Sequence, residues 1–205
     1  MNVAVFVSGG GSNFQALIDR AASGELHCTL ALCVANNASA FALERAKKHG
    51  IPWRHIAPSH FPDEQTYIAS LLAALREYKI DLIALAGYMK KIPRPVIAAF
   101  PDRIVNIHPG LLPAFGGKGL YGEKVHQAVI DYGAKVSGIT IHFVDEEYDH
   151  GPIIFQGTVP VLDTDDAHTL AARVLALEHA SYWRVIDAIA QGRITVKNRK
   201  VYGTV

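Results

Sequence analysis

Two hydrophobic periods alternate along the chain. Apolar, β-branched runs of strand length recur at 2–8 (NVAVFVS), 28–35 (CTLALCVA), 81–87 (DLIALAG), 103–108 (RIVNIH), 135–144 (KVSGITIHFV) and 152–162 (PIIFQGTVPVL). Between most of them lie segments with helical spacing of apolar residues, at 12–23 (SNFQALIDRAAS), 39–50 (SAFALERAKKHG) and 64–78 (EQTYIASLLAALREY). This alternation predicts an α/β fold: an open, mainly parallel, Rossmann-like sheet with helices on both faces. The last two runs are separated only by a short acidic turn near Glu146 and are expected to pair antiparallel, toward the C-terminal half. A long helix from about Asp166 to Gln191 and a strand-like tail complete the pattern. The stretch 108–122 (HPGLLPAFGGKGLYG) is too rich in Gly and Pro to continue either element, and a loop of that length is usually functional or mobile.

Composition narrows the class. At 205 residues, half of them hydrophobic, the chain is read as one domain, with a first half of about 1–100 and a second of about 101–205. Twenty Lys and Arg against 19 Asp and Glu give a net charge of +1, which points away from nucleic acid and anionic membrane. No apolar stretch approaches the ~18 residues of a membrane span and no signal segment is evident, so a cytoplasmic location is expected. Cys28 and Cys33 lie an odd number of residues apart in one apolar run and are read as small buried hydrophobes rather than as a metal or disulfide pair.

The first strand runs into Ser8-Gly9-Gly10-Gly11-Ser12-Asn13 and then a helix. Glycines at such a turn let backbone N–H groups approach an anion, and the helix N-terminus adds its positive dipole end. The dinucleotide fingerprint fails, because Phe14 stands where its third glycine belongs, and the Gly-Lys-Ser/Thr ending of a nucleotide P-loop is missing. The alternative is a plain helix cap, since Ser12 with Gln15 fits a capping box.

A second constellation lies at 103–108. Asn106 and His108, two apart on a strand, project from one face, and Pro109 ends the ladder. An amide donor beside an imidazole suits acyl transfer to an amine, which needs a group to hold a developing oxyanion and one to move a proton. The competing reading is a structural pair satisfied by backbone. A nucleophile elbow is absent, and His108, His126 and His142 lack metal-ligand spacing, so no metal is expected. A histidine poised as an acid needs a carboxylate, and 142–152 (HFVDEEYDHGP) supplies Asp145, Glu146, Glu147 and Asp149. His142, on the face of Thr140 and Val144, is either a core residue or part of a cavity wall.

Taken in order, SGGGSN, LAGYMKKI, NIHPGLLP, GITIHFVDEEYDHGPII and ARVLALEHASYW resemble the phosphoribosylglycinamide formyltransferases of the folate-dependent formyltransferase family. That resemblance implies transfer of a formyl group from 10-formyltetrahydrofolate, as co-substrate, to the amine of glycinamide ribonucleotide in purine synthesis, by a monomer or homodimer without nucleic-acid or membrane partners. It implies that Asn106 binds the formyl oxygen, that His108 is the general acid or proton shuttle, and that Asp149 raises the histidine's pKa. It assigns Gly10, Gly11, Ser12 and Asn13 to the substrate phosphate and Glu178 to its ribose, with a buried partner such as His179 as the structural alternative for Glu178. Met89, Lys90, Lys91, Ile92 and Asn106, with the turn Asp145, Glu146, Glu147, Tyr148 and Asp149, match the folate site; His142 is an accessory candidate.

Three departures stand out. Gly110 replaces the family's usual Ser or Ala and is expected to loosen its loop. The run 114–121 (AFGGKGLY) is longer and richer in glycine than in many members. Asp63 and Glu64 stand where many members place a folate-contacting arginine, with Lys118 as the candidate replacement. Rival readings are a formyltetrahydrofolate hydrolase-like enzyme, a methionyl-tRNA formyltransferase and a non-catalytic phosphate-binding module. The extra domains usual in the first two do not fit a chain of this length.

Overall fold

Why the strand runs fold as predicted is visible in their burial. Val3 to Val7 are wholly buried, as are Leu82, Ile83 and Ala84, which is the environment of central parallel strands covered on both faces. The computed structural model describes residues 1–205 and divides into two compact units, Met1–Val105 and Asn106–Val205. The first carries β1 (Asn2–Val7), α1 (Ser12–Ala22), β2 (Thr29–Ala35), α2 (Phe41–Lys48), β3 (Trp53–His55), a 3-10 turn (Pro58–His60), α3 (Glu64–Glu77), β4 (Leu82–Leu85) and α4 (Arg94–Ala99). Strand β5 (Ile104–His108) spans the division, followed by α5 (Glu123–Tyr132), β6 (Val136–Phe143), β7 (Ile153–Pro160), α6 (Ala167–Ala190), β8 (Ile194–Lys197) and β9 (Lys200–Gly203).

Seven strands form one sheet in the order β3-β2-β1-β4-β5-β6-β7, and β8 with β9 forms a separate hairpin. β1 pairs parallel with β2 and with β4, and β2 parallel with β3. The strand order therefore reverses direction at β1 and β4, the place where open α/β sheets open a crevice at the carboxyl ends of their strands. β6 and β7 pair antiparallel, joined by the acidic turn as expected. The mainly parallel α/β architecture with antiparallel strands toward the C-terminal end is the one read from the sequence.

Local signals set several boundaries. Asp166 caps α6, accepting from the Thr169 N–H at 2.8 Å while the Thr169 hydroxyl receives the Asp166 N–H at 3.0 Å, a reciprocal capping box. Asp63 caps α3 through the Thr66 N–H at 2.7 Å. Helices α4 and α5 went unpredicted. They are short, and α5 buries only Val125, His126 and Val129, too few apolar positions for a periodicity to register. Cys28 precedes β2 rather than lying in it, so strand alternation does not govern its direction. No helix is long and apolar enough to cross a membrane.

Backbone proximity at the β6–β7 ladder leaves one position without room for a side chain. A Cβ on Gly138 would lie 1.9 Å from the Gly157 carbonyl oxygen. Gly138→Ala is expected to lower stability by about 1–3 kcal/mol, through overpacking; urea unfolding with an unchanged midpoint would contradict this account of the ladder.

Candidate active site

In the first unit, two loops leave the carboxyl ends of the adjacent strands β1 and β4. The first is the glycine-rich turn. Gly11 takes a left-handed conformation (φ 69°) and is itself the N-cap of α1, which makes Ser12 the first helical residue. The Ser12–Gln15 capping box is thus not formed, and Gln15 is otherwise engaged: its Oε1 accepts from Arg45 Nη1 at 2.8 Å and its Nε2 donates to Asp19 Oδ1 at 2.8 Å. Arg45 Nε donates to the Gly10 carbonyl at 2.8 Å, and the Ala42 N–H to the Gly9 carbonyl at 3.2 Å. Helix α2 therefore holds the loop by its carbonyls, while the first turn of α1 opens toward any anion with N–H groups that have no i−4 partner. Gly11 is required twice over, since a Cβ there would also lie 2.6 Å from the Ala42 Cβ.

The second loop follows β4 and holds Met89, Lys90 and Lys91, all exposed, and buried Ile92. The Met89 N–H donates to Ser8 Oγ at 2.7 Å, and that hydroxyl donates in turn to Asn36 Oδ1. Ser8 thereby ties the glycine turn to the Met89 segment.

The second unit assembles the other constellation. β5 ends in Asn106 and His108, and β6 presents Thr140 and His142, all but Asn106 buried. His142 Nδ1 lies 2.8 Å from its neighbour's carbonyl, Phe143 O, so Nδ1 carries the proton; Nε2 then accepts from Asn106 Nδ2 at 3.2 Å. His108 Nε2 lies 2.9 Å from Phe115 O, which places its proton on Nε2 and leaves the Nδ1 lone pair toward Asp149 Oδ2, 3.6 Å away. Asp149 Oδ1 is 3.7 Å from His142 Nε2, and Oδ2 accepts the Gly117 N–H at 2.9 Å. Asp149 reaches this position from a left-handed backbone (φ 52°), uncommon for a residue other than glycine. Asn106, His108, His142 and Asp149 are thus brought together; Asp145, Glu146, Glu147 and Tyr148 form the rest of the turn, with Glu146, Glu147 and Tyr148 exposed.

Asp149 pulls the His108 pKa upward as expected, but burial decides the net shift. Burial pushes the His108 imidazole below its ordinary value of 6.5, and the Asp149 carboxylate and Phe115 carbonyl, which pull upward, do not win. The carboxylate supports the charged ring but does not keep it charged. For Asp149 burial favours the neutral acid, yet the positive charge that the His142 and His108 rings carry when protonated, together with the Gly117 N–H, holds it below the usual carboxylate range. The resting pair is a neutral ring beside an ionised carboxylate.

Several contributors were not read from sequence. Thr140 Oγ1 donates to the Gly110 carbonyl at 2.7 Å and accepts the Leu112 N–H at 3.0 Å, while Gln156 Nε2 donates to the Leu112 carbonyl at 3.0 Å, pinning the loop after β5. Phe115 and Gly117 act through backbone atoms, which no side-chain pattern announces. The signal available was Gly116: a Cβ there would lie 3.3 Å from the Asp149 Cβ and 2.2 Å from Leu112 Cδ2, so only glycine lets the loop approach so closely. Gly110 matters less as a source of looseness than as clearance, because a Cβ would press within 3.0 Å of His108 Nε2. Glu178 is buried on the face of α6 that also carries Val174, Ser181 and Tyr182. Asp63 serves as a helix cap.

The formyl transferase family model matches residues 1–186. The chain is 47% identical over 192 residues to the chloroplastic phosphoribosylglycinamide formyltransferase of Vigna unguiculata, covering 94% of this chain and 62% of that one. It is 36% identical over 194 residues to the phosphoribosylglycinamide formyltransferase of Escherichia coli (strain K12), covering 95% and 89% respectively. The crystal structure of glycinamide ribonucleotide transformylase 1 from Symbiobacterium toebii superposes with a TM-score of 0.93 at 39% identity, over 100% of this chain and 94% of that one. The chain spans less than two thirds of the length of its plant relatives.

A pH dependence follows from the buried groups. His108 and His126, both lowered by burial, and Asp149, lowered by its partners, all bind protons more weakly folded than unfolded. The unfolded chain therefore gains protons first on acidification, and folded-state stability declines as pH falls below about 6.5 and onward through the depressed values. Urea titrations at a series of pH values should show this loss; stability that stays level or rises below that pH would contradict it.

Proposed function

We propose that this chain, which belongs to the formyl transferase family, transfers the formyl group of 10-formyltetrahydrofolate to the amine of glycinamide ribonucleotide, giving formylglycinamide ribonucleotide and tetrahydrofolate. The observation that carries the reading is the cluster of one amide, two imidazoles and one ionised carboxylate around Asn106, His108, His142 and Asp149. It contains the groups an acyl transfer to an amine requires and no side-chain nucleophile, so the formyl carbon passes directly between two nitrogens.

In this reading the substrate amine attacks the formyl carbon, and the carbonyl oxygen becomes an oxyanion facing the Asn106 amide. One Nδ2 hydrogen is held by His142 Nε2, which fixes the amide's orientation and leaves the other hydrogen for the oxyanion. His108, neutral at rest, uses its remaining lone pair to take the proton that the attacking nitrogen sheds. The imidazolium so formed is stabilised by Asp149, and it returns the proton to the folate nitrogen as the carbon–nitrogen bond breaks. Asp149 thus acts on the charged intermediate state of the ring. A shuttle that must both accept and donate within one turnover is better served by a ring near neutrality than by one permanently charged.

The chain acts as a single formyltransferase domain whose first half takes the substrate phosphate on Gly10, Gly11, Ser12 and Asn13. Glu178 accepts from the ribose hydroxyls, and Met89, Lys90, Lys91 and Ile92, with the 145–149 turn, receive the pteridine. The αL glycine cap and the clamp from Arg45 support the phosphate assignment, since they commit the loop's carbonyls away from the helix mouth.

His108→Ala should retain its fold by circular dichroism and lose about 10²–10⁴-fold in kcat. Asn106→Ala should lose about 10²–10³-fold, roughly 3–4 kcal/mol of transition-state stabilisation. Formyl transfer is followed by the absorbance of tetrahydrofolate formation with purified protein and both substrates; a His108→Ala protein turning over near the wild-type rate would remove the mechanism.

A further inference from the structure

The chain ends in a hairpin that this chemistry leaves unused. β8 and β9 pair antiparallel through a turn in which Asn198 and Arg199 both have positive φ, 49° and 65°, and β9 lies against β7. Two consecutive left-handed residues make the tight connection whose twist suits a hairpin, and they aim the Arg199 side chain back at the acidic turn between β6 and β7. Its Nη2 donates to the His150 carbonyl oxygen, and its Nη1 stands 3.6 Å from Asp145 Oδ2. Asp145 also accepts from His150 Nδ1 at 2.8 Å and, through Oδ1, from the Glu147 N–H at 2.9 Å.

Arg199 therefore grips both ends of the segment from Asp145 to His150, and Asp149 lies inside that grip. The outer side of the turn is bonded to the hairpin; the inner side delivers the Asp149 carboxylate to His108, His142 and Gly117. Gly151 shows how little slack remains, since a Cβ there would lie 1.8 Å from the Phe143 carbonyl oxygen. An exposed Arg–Asp ion pair alone holds very little. The second contact, from a guanidinium to a backbone carbonyl one residue after Asp149, differs in kind, because it fixes backbone and is charge-assisted.

The geometry points to Arg199 as a positioning residue for the proposed reaction: a strut from the C-terminal hairpin that sets the backbone of the turn carrying Asp149. The inference rests on the reading of Asp149 as the carboxylate that stabilises charged His108. Residues 193–204, which carry the strut, lie beyond the 1–186 family match.

The test compares full-length wild type, Arg199→Ala and Arg199→Lys by amide hydrogen exchange of the 145–150 segment, by thermal melting and by formyl-transfer kinetics. In Arg199→Ala the segment should exchange at least about tenfold faster while β6 and β7 keep their protection, and kcat should fall about tenfold to a hundredfold, as displaced catalytic groups do. The KM for the ribonucleotide should not change. Arg199→Lys, which keeps a cation and one donor, should fall between the two. Unchanged exchange at 145–150 in Arg199→Ala overturns the strut, as does a general loss of protection with Lys no better than Ala, which would make the arginine merely structural. Exchange is read without turnover: if the wild type transfers no formyl group yet the turn loosens as described, the functional reading fails and the strut stands.

Discussion

A carboxylate drawn into a protein interior must find partners, and where it finds them decides what its surroundings can do. In this protein Asp149, only 13% exposed at its side chain, is placed between two imidazoles and a backbone N–H by a left-handed turn. The rest of the second unit can be read as meeting that requirement. β5 and β6 bring His108 and His142 to the site, the Phe115 carbonyl fixes the tautomer of one ring and the Phe143 carbonyl that of the other. The outcome is an ionised acid facing a neutral base, a stored preference for a proton that has yet to arrive.

Glycine serves two different ends in the two loops. In the turn after β1, Gly11 caps a helix and lets α2 pack against the loop, so that peptide dipoles point outward. In the loop after β5, Gly116 and Gly117 let the chain pass close enough to Asp149 for a backbone N–H to reach it. That loop is held from both sides: the Phe115 ring packs edge-on against Tyr132 of α5 at 5.7 Å, and Thr140 with Gln156 fixes residues 110–112. Its glycine content therefore marks close approach, and the loosening expected from Gly110 is offset by these bonds.

Much of this was legible in the chain. Strand runs betrayed themselves because central parallel strands are apolar throughout, and α6 showed as a long helix-patterned segment from about Asp166 to Gln191. The spacing of Asn106 and His108 gave their common direction, and Asp149 lay among the four acids of the turn at 145–149. Three things were not legible, each for a physical reason. The Ser12–Gln15 capping box looked complete, yet a glycine one residue earlier took the cap position because its positive φ is needed there. The sign of the His108 shift depends on how deep the ring is buried, which sequence does not give, and burial outweighed the carboxylate. The contributions of Phe115 and Gly117 are made by backbone atoms, which carry no residue identity.

The central claim is that a neutral His108 with its proton on Nε2 rests beside an ionised Asp149, with His142 protonated on Nδ1. Ring-nitrogen NMR on protein labelled with nitrogen-15 in histidine measures this directly at neutral pH. The account predicts that His108 shows a protonated Nε2 and a bare Nδ1, that His142 shows the opposite tautomer, and that Asp149→Asn makes His108 still harder to protonate. A His108 ring already doubly protonated at neutral pH, or one indifferent to loss of the carboxylate, would contradict it.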